Sequence, residues 1–179
     1  MARIKQINPE EASSYTRKLF KRIKEAFGTI PNMFRCMGNS EMALDGFLSM
    51  NASLGAGKLG PKNMKLVILA TSQLNDCEYC ASAHTQMAKD AGLLTDEECL
   101  NARKLIGSDP KSDALLKFTG RVFETRGKVT DQDLEAIRQA GFSDEEIIEI
   151  LATMALITFA NYTSNVGEPD LDFPKAPEV

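Results

Sequence analysis

Residues 60–84 read GPKNMKLVILATSQLNDCEYCASAH, and the fold class is decided there. Pro61 suits the first turn of a helix, where its missing N–H costs nothing. Leu66, Val67, Leu69, Ala70 and Leu74 then give that helix an apolar face. Asn75-Asp76 turns the chain, and a second helix is predicted from about Cys77 to Ala91, with Asn75 or Asp76 placed to cap it and Gly92 to stop it.

The same punctuation recurs outward in both directions. Asn8-Pro9 with Glu11 predicts a helix start, and that helix should run to about Phe27 before Gly28. Pro31-Asn32 opens a short segment, and Ser40 caps a helix reaching about Leu54. Gly55, Gly57 and Gly60 predict a flexible loop. Downstream, Thr95 with Glu98, Asp109-Pro110, Thr130 with Asp133, and Ser143 with Glu146 each mark a helix start. No alternating polar–apolar run bounded by hairpin turns occurs. The expected fold is all-α: one helical domain over residues 1–179, with 165–179 an extended C-terminal tail whose last ten residues, DLDFPKAPEV, carry two prolines.

Composition narrows the function. The chain has 179 residues, 43% apolar and 26% charged, and a net charge of −4. These values exclude a disordered chain and a small disulfide knot, and they leave no electrostatic footprint for nucleic acid. Charge is uneven, however: residues 1–24 hold seven Lys/Arg against two Glu, and residues 141–179 hold eight Asp/Glu against one Lys. A solvated basic face on the first helix accounts for the former; contact between the basic start and the acidic end is the alternative. The longest apolar stretch, Ile147 to Ala160, is interrupted by Glu149 and is shorter than the roughly 20 residues that span a bilayer, so no membrane partner is expected. The N-terminal sequence has no signal-type apolar run, which makes a reducing cytoplasm the expected location of its four cysteines.

In such a compartment a cysteine pair points to metal or redox chemistry. Cys77 and Cys80 form a Cys-X-X-Cys pair, and His84, the only histidine, follows four residues later. Spacings of three and four place 77, 80 and 84 on one face of a helix. A thiolate is the reactive form, and a helix start or a basic neighbour lowers the thiol pKa. His84, one turn beyond Cys80, is placed to take its proton, and Cys77 is placed to resolve an oxidised Cys80. Zinc would lack a fourth ligand, so no metal is expected; two inert buried thiols are the other alternative. Cys36 and Cys99 have no such company and read as ordinary half-buried thiols. No Gly-rich nucleotide loop is present, and no cofactor is expected.

The segment from Gly60 through His84 resembles the carboxymuconolactone decarboxylase family, most closely its alkylhydroperoxidase (AhpD-like) branch. Residues 27–34 (FGTIPNMF) and the last long helix with Asn161-Tyr162 and Asn165 also fit it. The resemblance implies an AhpD-like multi-helix bundle that assembles into homo-oligomers, commonly trimers or hexamers. It implies reduction of hydrogen peroxide or organic hydroperoxides, or passage of electrons to a partner protein, with an external thiol or disulfide donor. Cys80 is then the attacking thiol and Cys77 the resolving one, although a helix-dipole argument alone makes Cys77 the more acidic. Peroxidase members carry a glutamate twelve residues before the first cysteine as part of a proton relay; here that position is Lys65. Lys65 either faces solvent or acts on a thiol directly, and Glu78 and Glu124 are candidate substitutes for the glutamate. The rival functions are the lactone decarboxylase for which the family is named, whose members generally lack the cysteine pair, and a non-enzymatic redox-sensing helical oligomer.

Overall fold

The computed structural model describes residues 2–179, and the described residues form nine helices and no strand. They are α1 (Ser14–Phe27), α2 (Asn32–Met37), α3 (Glu41–Gly55), α4 (Gly60–Leu74), α5 (Glu78–Asp90), α6 (Asp96–Arg103), α7 (Pro110–Thr125), α8 (Asp131–Gln139) and α9 (Asp144–Gly167). Four capping boxes start α6, α7, α8 and α9, at Thr95, Asp109, Thr130 and Ser143. In each, a side chain satisfies backbone N–H groups that the helix itself leaves unpaired.

α4 is the axis of the fold. Its residues from Leu66 to Ser72 are all buried, and it packs against α5, α6, α7 and α9. Two apolar cores meet across it. Leu66, Val67, Leu69 and Ala70 join Leu115, Leu116, Ile137 and Ile150 in one. Ile68 faces the other, which holds Phe20, Ile23, Phe34, Leu44 and both Cys77 and Cys80. The long α9 serves both, with Ile147, Ile150 and Met154 in the first core and Ile157 and Ala160 in the second.

Four expectations are corrected. α1 begins at Ser14, not beside Asn8, because Ser13 supplies the cap by accepting from the Thr16 N–H. Asn8 instead closes a turn, its backbone carbonyl accepting from the Glu11 N–H. The glycine loop before α4 is clamped: the Glu149 carboxylate accepts from the Lys58 and Leu59 N–H groups at 3.1 and 2.7 Å. A Cβ on Gly57 would stand 2.5 Å from that carboxylate, so any side chain there would have to displace the Glu149 clamp. α9 continues through Gly167, so residues 165–167 are helical and the tail starts later. Finally, Cys36 and Cys99 are fully buried, at 3% and 1% exposure.

The tail is a strap tied back onto the helices. Asp172 accepts from the Asn32 N–H at 2.8 Å and from the Tyr79 hydroxyl. The Ala176 N–H donates to Ser82, and Arg103 donates to the Pro177 carbonyl. At the other end of the chain, Arg3 pairs with Glu168 at 3.2 Å, so the basic start and the acidic end do meet.

Candidate active site

The α4–α5 turn builds the site. Asp76 takes a left-handed conformation (φ 50°), which Asp tolerates better than most residues. The turn is held by the Cys77 N–H, which donates to the Ser72 carbonyl at 2.9 Å. Cys77 is therefore the N-cap of α5 itself, in place of Asn75 or Asp76. Its sulfur accepts from the Cys80 N–H at 3.4 Å, as an oxygen does in an ordinary cap. Asn75 bonds to α9 instead. Its amide donates to Asn161 at 2.9 Å, and Asn165 donates to the Asn75 carbonyl at 2.9 Å. The turn is thus fixed to α9.

Both thiols are buried, at 2% exposure each. Their hydrogen bonding splits them. Cys80 donating toward Cys77 holds the Cys77 thiol below the usual range even though burial opposes it. The same contact, then burial, pushes Cys80 well above it. The dyad therefore holds its proton on Cys80, and Cys77 is the acidic member, as the helix start favours. Asn161 and Ser164 of α9 favour the ionised form of both. Ser164 Oγ lies 3.7 Å from Cys80 Sγ. Ser164 escaped the sequence reading; a serine and an asparagine on the buried face of an apolar helix were the available signal.

The thiols open onto different spaces. Cys80 and His84 line one partly enclosed cavity of about 60 Å³, together with Phe34, Phe47, Tyr79 and Phe173. Cys77 lines a surface cleft of about 310 Å³ beside Arg103 and the end of the strap. Phe173 of the strap stacks edge-on against Tyr79, 5.8 Å between ring centres, so the strap helps wall the cavity.

His84 shares the cavity with Cys80, yet no hydrogen bond joins it to either thiol among the described residues. Its Nδ1 lies 3.0 Å from Lys65 Nζ. Lys65 does not point to solvent: burial pulls its ammonium down to about 8. Burial, and then the Lys65 charge, holds His84 well below the usual imidazole range, so the ring is neutral at pH 7. Glu78 and Glu124 take no part. Glu78 pairs with Lys175 of the strap at 3.2 Å, and Glu124 with Arg121 on α7 at 2.9 Å. Among the described residues no group of His, Cys, Asp and Glu is arranged to hold a metal ion.

Residues 43–119, which hold Lys65, Cys77, Cys80 and His84, match the carboxymuconolactone decarboxylase family. The match covers 77 of the 179 residues. No curated protein matches the chain. A solved structure described as an alkylhydroperoxidase AhpD core, an uncharacterized peroxidase-related protein from Ralstonia eutropha JMP134, is similar with a TM-score of 0.86 and 22% identity, covering 96% of this chain and 92% of that one. A peroxidase-related protein from Silicibacter sp. TM1040 gives 0.77 and 19%, covering 96% and 92%. The debrominase Bmp8 gives 0.78 and 19%, covering 95% and 92%, and a second structure of it holds 2,3,4-tribromopyrrole. At these identities the likeness establishes the fold, which is the AhpD-like all-helical one. The family segment ends before α9, so Ser164 and the strap lie outside it.

Proposed function

We propose that the protein is a thiol-dependent peroxidase that reduces organic hydroperoxides or hydrogen peroxide, with Cys80 attacking and Cys77 resolving. One observation carries this reading: of the two thiols, Cys80 lines the partly enclosed apolar cavity, and it does so beside His84. The family match and the peroxidase-related structural neighbours support it. Cys77, the acidic partner, first accepts the Cys80 proton. The Cys80 thiolate then attacks the terminal peroxide oxygen; an S–O bond forms, the O–O bond breaks, and the leaving oxygen departs as alcohol or water once protonated. Cys77 attacks the resulting sulfenic acid, closing the disulfide and releasing water. An external dithiol donor restores both thiols and is itself oxidised. The exposed apolar face of α9 and the family resemblance support a homo-oligomer as the working form.

A second reading has its own support in the aromatic walls of the cavity and the likeness to a debrominase. In it, two thiols and an aryl bromide give the arene, a disulfide and hydrogen bromide. Peroxide consumption and bromide release, each measured with a dithiol donor on wild type, Cys80→Ser and Cys77→Ser, separate the two. Peroxide turnover lost in both variants, with a sulfenic acid trapped only in Cys77→Ser, supports the first reading. Bromide release without peroxide turnover replaces it with the second.

A further inference from the structure

Lys65 and His84 are a half-buried cation and a half-buried ring in direct contact. Placing an ammonium in a partly dry position is costly, and among the described residues Lys65 has no carboxylate partner to offset the cost. Its Nζ reaches His84 Nδ1 at 3.0 Å, with the Met87 sulfur at 3.9 Å as its other contact. An ammonium has three hydrogens and no lone pair, so it only donates. Nδ1 must then accept. Because the ring is neutral, its one hydrogen sits on Nε2, which makes no hydrogen bond among the described residues, while the residue lines the cavity.

We infer that Lys65 and His84 form a proton-delivering relay, with Lys65 setting the tautomer so that His84 Nε2–H is the acid that protonates the leaving oxygen at Cys80. The inference rests on the peroxidase reading for its substrate and reverses the direction in which the spacing alone suggested His84 would work. His84 is not the base for Cys80; Cys77 already fills that place. When the O–O bond breaks, the Nε2 hydrogen passes to the alkoxide or hydroxide, a Lys65 hydrogen passes to Nδ1, and the pair is left as neutral amine and neutral ring. Solvent returns the proton afterwards.

The surroundings suit this direction. The groups that act electrostatically on the pair are Cys99 of α6 on Lys65 and Lys65 itself on His84. Cys80 of α5 lines the cavity with His84, Asn161 and Ser164 of α9 act on the thiols, and the Asp172 Oδ1 of the strap is occupied by the Tyr79 hydroxyl. Among the described residues no carboxylate competes for the Lys65 hydrogens. With burial holding Lys65 to about 8, the ammonium keeps its proton at pH 7 and gives it up readily.

The tautomer is read without any substrate. His84 is the only histidine, so ¹⁵N NMR of the ring nitrogens reports on it alone. The expected wild-type spectrum has hydrogen on Nε2 and none on Nδ1, with Lys65→Met shifting the ring toward a mixture. Hydrogen on Nδ1 in the wild type overturns the relay. Kinetics test the proton's destination. An alkyl hydroperoxide releases an alkoxide that needs a proton, whereas peracetic acid releases acetate, which does not. Lys65→Met should slow tert-butyl hydroperoxide reduction about 100-fold and leave peracetic acid within a few fold, with Cys80 alkylation by iodoacetamide unchanged. The wild-type rate with the alkyl hydroperoxide should also fall as pH rises through about 8. Equal losses with both oxidants, or slowed alkylation, overturn the relay. If the wild type reduces neither oxidant yet shows the Nε2–H ring, the peroxidase reading fails and the tautomer assignment stands.

Discussion

Tyr79 donates its hydroxyl hydrogen to Asp172 at 2.5 Å, tying the second residue of α5 to a strap 93 positions later. The same oxygen accepts from the buried Met33 N–H at 3.2 Å. Burial, then the Asp172 contact, raises the phenol far above its usual range, so the hydroxyl stays a donor. One residue thereby joins α2, α5 and the strap at the edge of the cavity. Tyr79→Phe keeps the ring packing and removes both hydrogen bonds. It should cost about 1–3 kcal/mol in denaturant unfolding and speed tryptic cleavage after Lys175. Unchanged cleavage would mean that the strap is held by its other ties.

Oxidation should be selective. Mild peroxide treatment should link Cys77 to Cys80, with a potential of roughly −180 to −270 mV, and leave the other two thiols intact. Burial raises Cys36 and Cys99 above the ordinary thiol range, and among the described residues neither has a thiol partner to take its proton as Cys77 does for Cys80. Peptide mapping by mass spectrometry reads the products, and a dominant adduct on Cys36 or Cys99 would sink the assignment.

Acid stability should report on His84. Its folded pKa lies below its unfolded one, so between the two the unfolded chain binds the extra proton. Stability is then fully present above about pH 6.5 and falls as pH drops below it, by up to about 1.4 kcal/mol per pH unit. The Glu98 carboxyl, held to about 2 by Lys62 and the Thr95 cap, enters only at lower pH. Urea unfolding from pH 7 to 5 should slope in the wild type and lie flat in His84→Gln.

Along α9, Ile148, Leu151, Ala155, Phe159, Tyr162 and Val166 recur at helical spacing on the exposed side. Ile148, Tyr162 and Val166 are 63%, 57% and 55% exposed. α9 is long and apolar enough to cross a membrane, but half of its most apolar window is buried inside the fold. A second copy of the chain is the partner this stripe suits, and Phe159→Glu, at the middle of the stripe, should release monomers near 20 kDa in sedimentation. A wild-type monomer at micromolar concentration would remove the oligomer.

The sequence by itself determined the helical class, most of the helix ends and the dithiol. These are local properties: caps such as Thr95 and Ser143 bond within three residues, and the Cys-X-X-Cys spacing is covalent. Local reading failed at the start of α1, where Ser13 caps the helix in place of Asn8, and at the α4–α5 turn, where Cys77 caps it in place of Asn75 or Asp76. Only the tertiary structure decided what each reactive group faces. Lys65 and His84 lie 19 positions apart, and Ser164 and Asp172 reach the site from beyond the family segment. No local pattern encodes such contacts. They exist because burying α4 and α9 between two cores brings those side chains together, and burial then sets which of them hold a proton.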